Sequence, residues 1–129
     1  MNSDERRCAS DELTKKIIGC VYTVSNTLGC GFLEKVYENA LAHELKKIGL
    51  RVEQQHPVPI YYDEIKVGDY VCDMLIEGQV ILEMKAVTDL NDNHVAQCLN
   101  YLNGAGLRVC LLINFGKPKV EIRRIVRGF

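Results

Sequence analysis

No two cysteines in this chain are spaced Cys-x-x-Cys, although it has six: Cys8, Cys20, Cys30, Cys72, Cys98 and Cys110. Thiols scattered in this way argue against a disulfide scaffold or a zinc ribbon, which both need close, ordered spacing. Zinc shared by the three histidines and stray cysteines has no spacing to support it. Charge of one sign is scarce too: sixteen Lys and Arg face seventeen Asp and Glu, a formal charge of −1. That excludes a strongly basic coat for nucleic acid, so any phosphate binding must come from local clusters or bound cations. The basic pairs Arg6-Arg7, Lys15-Lys16, Lys46-Lys47 and Arg123-Arg124 read as solvated faces. No apolar run reaches membrane-spanning length, and Met1 to Ser10 is polar and charged, without a secretory apolar core. A cytoplasmic protein with no membrane partner and mostly buried, reduced thiols is the expectation. Repeats, low-complexity tracts and linkers are missing from residue 10 onward. A loose segment 1–9 and one domain at 10–129 are expected.

What is present is a clear change of period. Ser10 and Asp11 can cap a helix carrying Leu13, Ile17, Val21, Val24 and Leu28, ended by Gly29 and Gly31. A second helix presents Leu33, Val36, Tyr37, Ala40, Leu41, Leu45 and Ile48 on its apolar side, with Gly49 after it. From Leu50 the pattern becomes extended. Val52 to Gln54 and Val58 to Tyr62 form an irregular edge strand broken by Pro57 and Pro59. Asp63-Glu64 turns into a strand from Ile65 to Ile76, with a bulge or bend at Gly68, and Glu77-Gly78 turns tightly into Val80 to Lys85. Asp92 to Leu102 returns to helical spacing, with Val95, Cys98, Leu99 and Leu102 inward. The apolar run Leu107 to Phe115 reads as a strand buried on both faces, and Val120 to Val126 as a last strand. The order ααβββαββ gives an α/β fold: a central mixed sheet flanked by helices.

Three charges interrupt the buried strands. Asp73 lies on the strand before the Glu77-Gly78 turn, and Glu83 and Lys85 lie on the strand after it. Alternation puts Glu83 and Lys85 on one face with Ile81, and positions 71, 73 and 75 on a face opposite to 72, 74 and 76. Charges in such runs are costly unless paired or bound to metal. The hairpin can bring Asp73 and Glu83 together around one cation, and oxygen ligands select Mg²⁺ or Mn²⁺ over zinc. Lys85 would then steady a water or a phosphate charge. The alternative is a partly buried Glu83–Lys85 ion pair that does no chemistry, and spacing leaves both readings open.

Further polar residues are less decided. His94, Gln97 and Tyr101 form a stripe on the third helix, either a solvated face or a site face. His94, near the helix start, reads as a surface or capping residue. Glu34, Tyr37 and Leu41 share a face of the second helix, where Glu34 can simply complement the helix dipole. Tyr61, Tyr62 and Tyr70 read as ordinary sheet-face aromatics.

The run Gly31-Phe32-Leu33-Glu34-Lys35-Val36-Tyr37 resembles the signature of the GxxExxY family, a minimal branch of the PD-(D/E)xK nuclease superfamily. The likeness continues through Gly49 to Gln55, Asp73, Glu83-Met84-Lys85, His94 to Leu102 and Leu111 to Gly116. It implies a restriction-endonuclease-like αβββαβ core with an extra N-terminal helix. It gives Asp73 and Glu83 to the metal, with Glu34 as the helix carboxylate reaching metal directly or through water. Lys85 positions the attacking water, and Gln97 and Tyr101 support the site. The residue before Asp73 is Cys72, where the superfamily pattern has proline. The implied function is Mg²⁺- or Mn²⁺-dependent hydrolysis of phosphodiester bonds in nucleic acid, with DNA the expected partner. A non-catalytic nucleic-acid- or partner-binding module on the same fold is the alternative. A homodimer fits either, because one small domain offers little surface to grip a duplex.

Overall fold

Two helical periods followed by alternating runs fold into a five-stranded sheet with helices on both faces. The computed structural model describes residues 3–128, in the order α1 (Ser3–Leu28), α2 (Glu34–Lys47), β1 (Val52–Tyr62), β2 (Ile65–Ile76), β3 (Val80–Lys85), α3 (Asp92–Ala105), β4 (Val109–Asn114) and β5 (Glu121–Val126). The expected ααβββαββ order holds. The sheet runs β1-β2-β3-β4-β5, antiparallel throughout except for β3 and β4, which are parallel and joined through α3. A parallel pair needs such a crossover.

Alternation along the strands builds two cores. Met74, Ile76, Leu82, Met84, Leu111 and Ile113 face α1 and α2, against Ile17, Val21, Tyr37 and Leu41. Leu75, Ile81, Cys110 and Leu112 face α3, against Cys98 and Leu102. Every residue of β4 is buried, as expected of a strand covered on both sides. Cys20, Cys72, Cys98 and Cys110 are buried free thiols, whereas Cys30 is exposed. Among the described residues no helix is long and apolar enough to cross a membrane.

Several boundaries differ from the sequence reading. Helix α1 starts at Ser3, so Ser10 and Asp11 lie within it and do not cap it. The run before them has no glycine or proline to stop a helix. Of the segment 1–9 expected to be loose, residues 1 and 2 lie outside the described residues and the rest begins α1. Asp11 pairs with Arg124 of β5 at 2.7 Å. β1 is continuous through Pro57 and Pro59. It is an edge strand, where a missing N–H on the outer side costs no ladder bond. The irregularity expected at Gly68 is a register shift between the pairs Ile60↔Gly68 and Tyr61↔Lys66. Glu77 (φ 53°) and Gly78 (φ 65°) are both left-handed, the form the two central residues of a type I′ turn need, and Gln79 N–H closes that turn on Ile76 O at 2.9 Å.

The buried face of α2 carries Tyr37, Glu38, Leu41, Ala42 and Leu45, while Leu33, Val36 and Ile48 are exposed. Tyr37 is a clamp. Its ring stacks on Phe115 at 4.4 Å, and its hydroxyl donates to Gly29 O at 2.6 Å, fixing the loop between the helices.

The end of β3 is locked from behind by β4. Asn114, fully buried, accepts from Val87 N–H and Gly116 N–H and donates to Val87 O, at 2.9–3.0 Å. Phe115 N–H donates to Lys85 O at 2.9 Å. A Cβ at Gly116 would collide with the backbone N and O of Val87 and lie 2.7 Å from the carbonyl carbon of Ala86. Gly116→Ala is therefore expected to cost about 1–3 kcal/mol, read as a lower urea midpoint at unchanged m-value. A midpoint equal to that of the wild type would mean that the Val87 turn is free to move aside.

Candidate functional site

β2 and β3 exchange backbone partners only from Ile76↔Val80 to Met74↔Leu82. One step further, side chains take over. Asp73 N–H donates to Glu83 Oε1 at 2.7 Å, and Met84 N–H donates to Asp73 Oδ2 at 2.8 Å. Beyond the last ladder pair each carboxylate accepts an amide of the other strand, so the strands separate without orphaning these amides. Each carboxylate also has a second oxygen outside this reciprocal pairing.

The pleat breaks at the same level. Cys72 packs with Leu75 and Ile81 against α3, whereas Met74 packs on the other face, so 72 and 74 do not share a side as alternation alone suggests. On β1, Gln55 lies between the pairs Gln54↔Met74 and His56↔Cys72, with φ 54°. A left-handed residue inside a strand is uncommon outside glycine and concentrates where function holds it. It lets consecutive side chains reach one target, which regular alternation forbids. Gln54 Nε2 donates to Glu38 Oε2 at 2.7 Å and Gln55 Nε2 to Glu38 Oε1 at 3.0 Å. Lys35 Nζ adds an ion pair to Glu38 at 3.1 Å.

Negative charge accumulates here. Burial first, then the Asp73 charge, pushes the Glu83 carboxyl up to about 8. Asp73 is raised mainly by burial, with the Met84 N–H opposing, the Glu38 charge adding and Lys85 easing it. Lys85 does not close the ion pair that the sequence left open. Its Nζ donates to Gln97 Oε1 at 3.2 Å, and among the described residues no ion pair joins it to Glu83 or Asp73. Two under-compensated carboxylates with oxygen-only chemistry fit a hard divalent cation, and Mg²⁺ is usually bound through one or two carboxylates while keeping water. Among the described residues no group of three His, Cys, Asp or Glu is gathered for a metal.

The other sequence candidates fall into place unevenly. Gln97 is half-buried on α3 and faces Lys85. Tyr101, one turn further, is buried, and its hydroxyl is raised by burial and then by the Glu83 and Asp73 charges. Its ring meets Tyr70 edge-on at 6.0 Å. His94 completes a capping box with Asn91 at 3.1 Å in each direction. Glu34 opens α2, half-buried, but the α2 carboxylate that acts on both Asp73 and Glu83 is Glu38, one turn later. Sequence reasoning missed Glu38: it sits beside the Tyr37-Leu41-Leu45 stripe, and only its partners Gln54 and Gln55 on β1 make it a buried carboxylate.

A carboxyl whose folded pKa exceeds its unfolded value binds more protons in the native state, so stability falls as pH rises through the folded pKa. For Glu83 that window runs from its ordinary 4.5 to about 8. Metal-free protein should therefore lose Tm across this range. Glu83→Gln, which keeps the acceptor for Asp73 N–H without the charge, should flatten the loss and melt above wild type near the upper end. Parallel Tm-against-pH curves for the two proteins would refute a strained Glu83 charge.

The chain's likeness to known proteins matches this geometry. The model of the PD-(D/E)XK nuclease superfamily matches residues 11–125. An alkaline exonuclease, LHK-Exo from Laribacter hongkongensis, superposes with TM-score 0.55 and 14% identity over 73% of this chain and 56% of its own. The crystal structure of SSO0001 superposes with TM-score 0.53 and 18% identity over 97% of this chain and 62% of its own. The chain thus spans less than two thirds of the length of either neighbour, and at such identities the likeness is one of fold. No curated relative matches by sequence. Because the family match runs from α1 into β5 and takes in Asp73, Glu83, Lys85 and Gln97, the chain belongs to the PD-(D/E)XK nuclease superfamily.

Proposed function

We propose that this chain is a GxxExxY-type nuclease that hydrolyses phosphodiester bonds of DNA with Mg²⁺ or Mn²⁺ held by Asp73 and Glu83. One observation carries the reading: two carboxylates share a break in the sheet with no cation paired to them among the described residues, and an amine beside them is held by an amide. When bound, the divalent ion offsets charge on the phosphate and lowers the pKa of water.

The chain's own residues do the rest. The reciprocal pairing through Asp73 N–H and Met84 N–H fixes both carboxylates before any ligand arrives, and the Met84 carbonyl is a further oxygen at the same level. Gln97 holds the Lys85 ammonium away from a closed ion pair, so that its charge is available to the attacking water or the developing phosphate charge. Tyr101 keeps its proton, through burial and the adjacent negative charge, and so acts as a hydrogen-bond donor. Glu38 deepens the negative field that draws a cation in. Glu34, one turn earlier, is the α2 carboxylate assigned to a water-mediated contact.

A non-catalytic binding module is favoured by the lack of a third gathered metal-binding residue among the described residues. The two readings separate cleanly. Mn²⁺ is expected to raise the Tm of wild type and to do so far less for Asp73→Ala. Lys85→Ala should keep the Mn²⁺ shift while kcat for DNA cleavage drops about a hundredfold or more. An absence of cleavage of any single- or double-stranded DNA or RNA with Mn²⁺, together with nucleic-acid binding that survives chelation, would assign the chain to the binding module.

A further inference from the structure

Beyond β3 the β1–β2 hairpin extends as an arm, and between that arm and α3 lies an open cleft of about 390 Å³. Its walls are Pro59, Ile60, Tyr61 and Tyr70 on the arm and Asn100, Asn103 and Gly104 on the helix. The floor is tight because Gly104 has no side chain: a Cβ there would lie 2.7 Å from Ile60 Cδ1 and 2.8 Å from Val58 Cγ1. Two features set the cleft apart from an ordinary surface groove. It has no charged wall, and it pairs aromatic faces with two side-chain amides. Tyr61 is 61% exposed and Tyr70 48% exposed. Ligand clefts run from roughly 300 to 1,000 Å³, so this one is at the small end.

Through Tyr70 the cleft also borders the part of α3 that carries Tyr101. Tyr70 meets Tyr101 edge-on at 6.0 Å, and Tyr101 feels the charges of Glu83 and Asp73. We infer that the cleft binds an unpaired nucleobase of single-stranded DNA, stacked on Tyr61 and Tyr70 and hydrogen-bonded at its edge by Asn100 and Asn103. The inference rests on the nuclease reading for its direction, with the scissile phosphate at Lys85 and a neighbouring base in the cleft. Its chemistry is independent of metal. A base must leave its duplex to enter such a cleft, and every base has a π-face for tyrosine while only its edge meets an amide. A phosphate would find no positive charge there. A chain with a net charge of −1 has little to hold a duplex by, whereas stacking does not depend on charge.

The test measures binding in chelator, by anisotropy of a labelled strand of about ten nucleotides, roughly the site size of single-strand grooves. The comparison probes are an abasic strand of the same length, the matching duplex and the matching RNA. The base-bearing strand is expected to bind about tenfold tighter than the abasic one, in line with one stacked base. Tyr61→Ala should erase that gap, while Tyr61→Phe should keep it and Glu83→Gln should leave it intact. Tyr61 is exposed, and unchanged thermal melts of its variants will show that folding is not at issue. Equal binding of base-bearing and abasic strands, or preference for the duplex, would overturn the inference. So would self-association in sedimentation that Tyr61→Ala abolishes, since the cleft would then belong to a second copy. RNA binding as tight as DNA binding would support the base cleft and overturn only the choice of DNA. Tyr61-dependent base binding without Mn²⁺-dependent cleavage would sink the nuclease reading and leave the cleft standing. Cleavage without the abasic gap would do the reverse.

Discussion

The exchange of hydrogen bonds between Asp73 and the Glu83-Met84 step is the constraint on which the rest of the site depends. Where a sheet opens between two buried strands, the amides at the opening need other acceptors. Here the acceptors are the two carboxylates themselves, so the break in the ladder and the site are one object. Hydrogen bonds to charged groups contribute about 1.5–3 kcal/mol each, which offsets part of the cost of burying Glu83. Asn114 and Gly116 then hold the chain after Lys85 against β4, so that the amine leaves the sheet at a fixed point.

Strain and charge concentrate at the same level of the sheet. Gln55 is left-handed, the pleat of β2 breaks beside Asp73, and Glu38 is buried with its oxygens taken up by Lys35, Gln54 and Gln55. The left-handed residue and the buried charges are a cost to the fold. A protein selected only for stability would replace Glu83 with an apolar residue and straighten β1. Retaining several unfavourable features at one place is the usual mark of a site where function opposes stability.

Much of this was legible in the sequence because it obeys local rules. The limits of β2 and β3, the Glu77-Gly78 turn and the two-sided burial of β4 follow from alternation and turn chemistry, and they hold. Asp73, Glu83 and Lys85 stood out because charge in an apolar strand is costly, and the structure brings the first two together. What stayed hidden depends on contacts between distant segments. Glu38 is buried because Gln54 and Gln55 turn to meet it, and that turn needs a left-handed residue no propensity announces. Val36 and Ile48 looked like core on α2, but the face is chosen by Tyr37 stacking on Phe115, far along the chain. Asn114 reads as the polar end of an apolar strand until its side chain is seen closing on Val87. The start of α1 was misplaced because Ser10-Asp11 is a good cap in isolation, and a helix already under way has no use for one.

β1 and β2 are each about twice as long as β3, so their outer halves pair with each other and never meet it. The Asp63-Glu64 tip thus lies outside the register that sets Asp73 opposite Glu83. Residues inserted at the tip lengthen the arm while Asp73 stays opposite Glu83. Evolution or an engineer can therefore graft a new recognition element onto this scaffold at that single turn and leave the chemistry where it is.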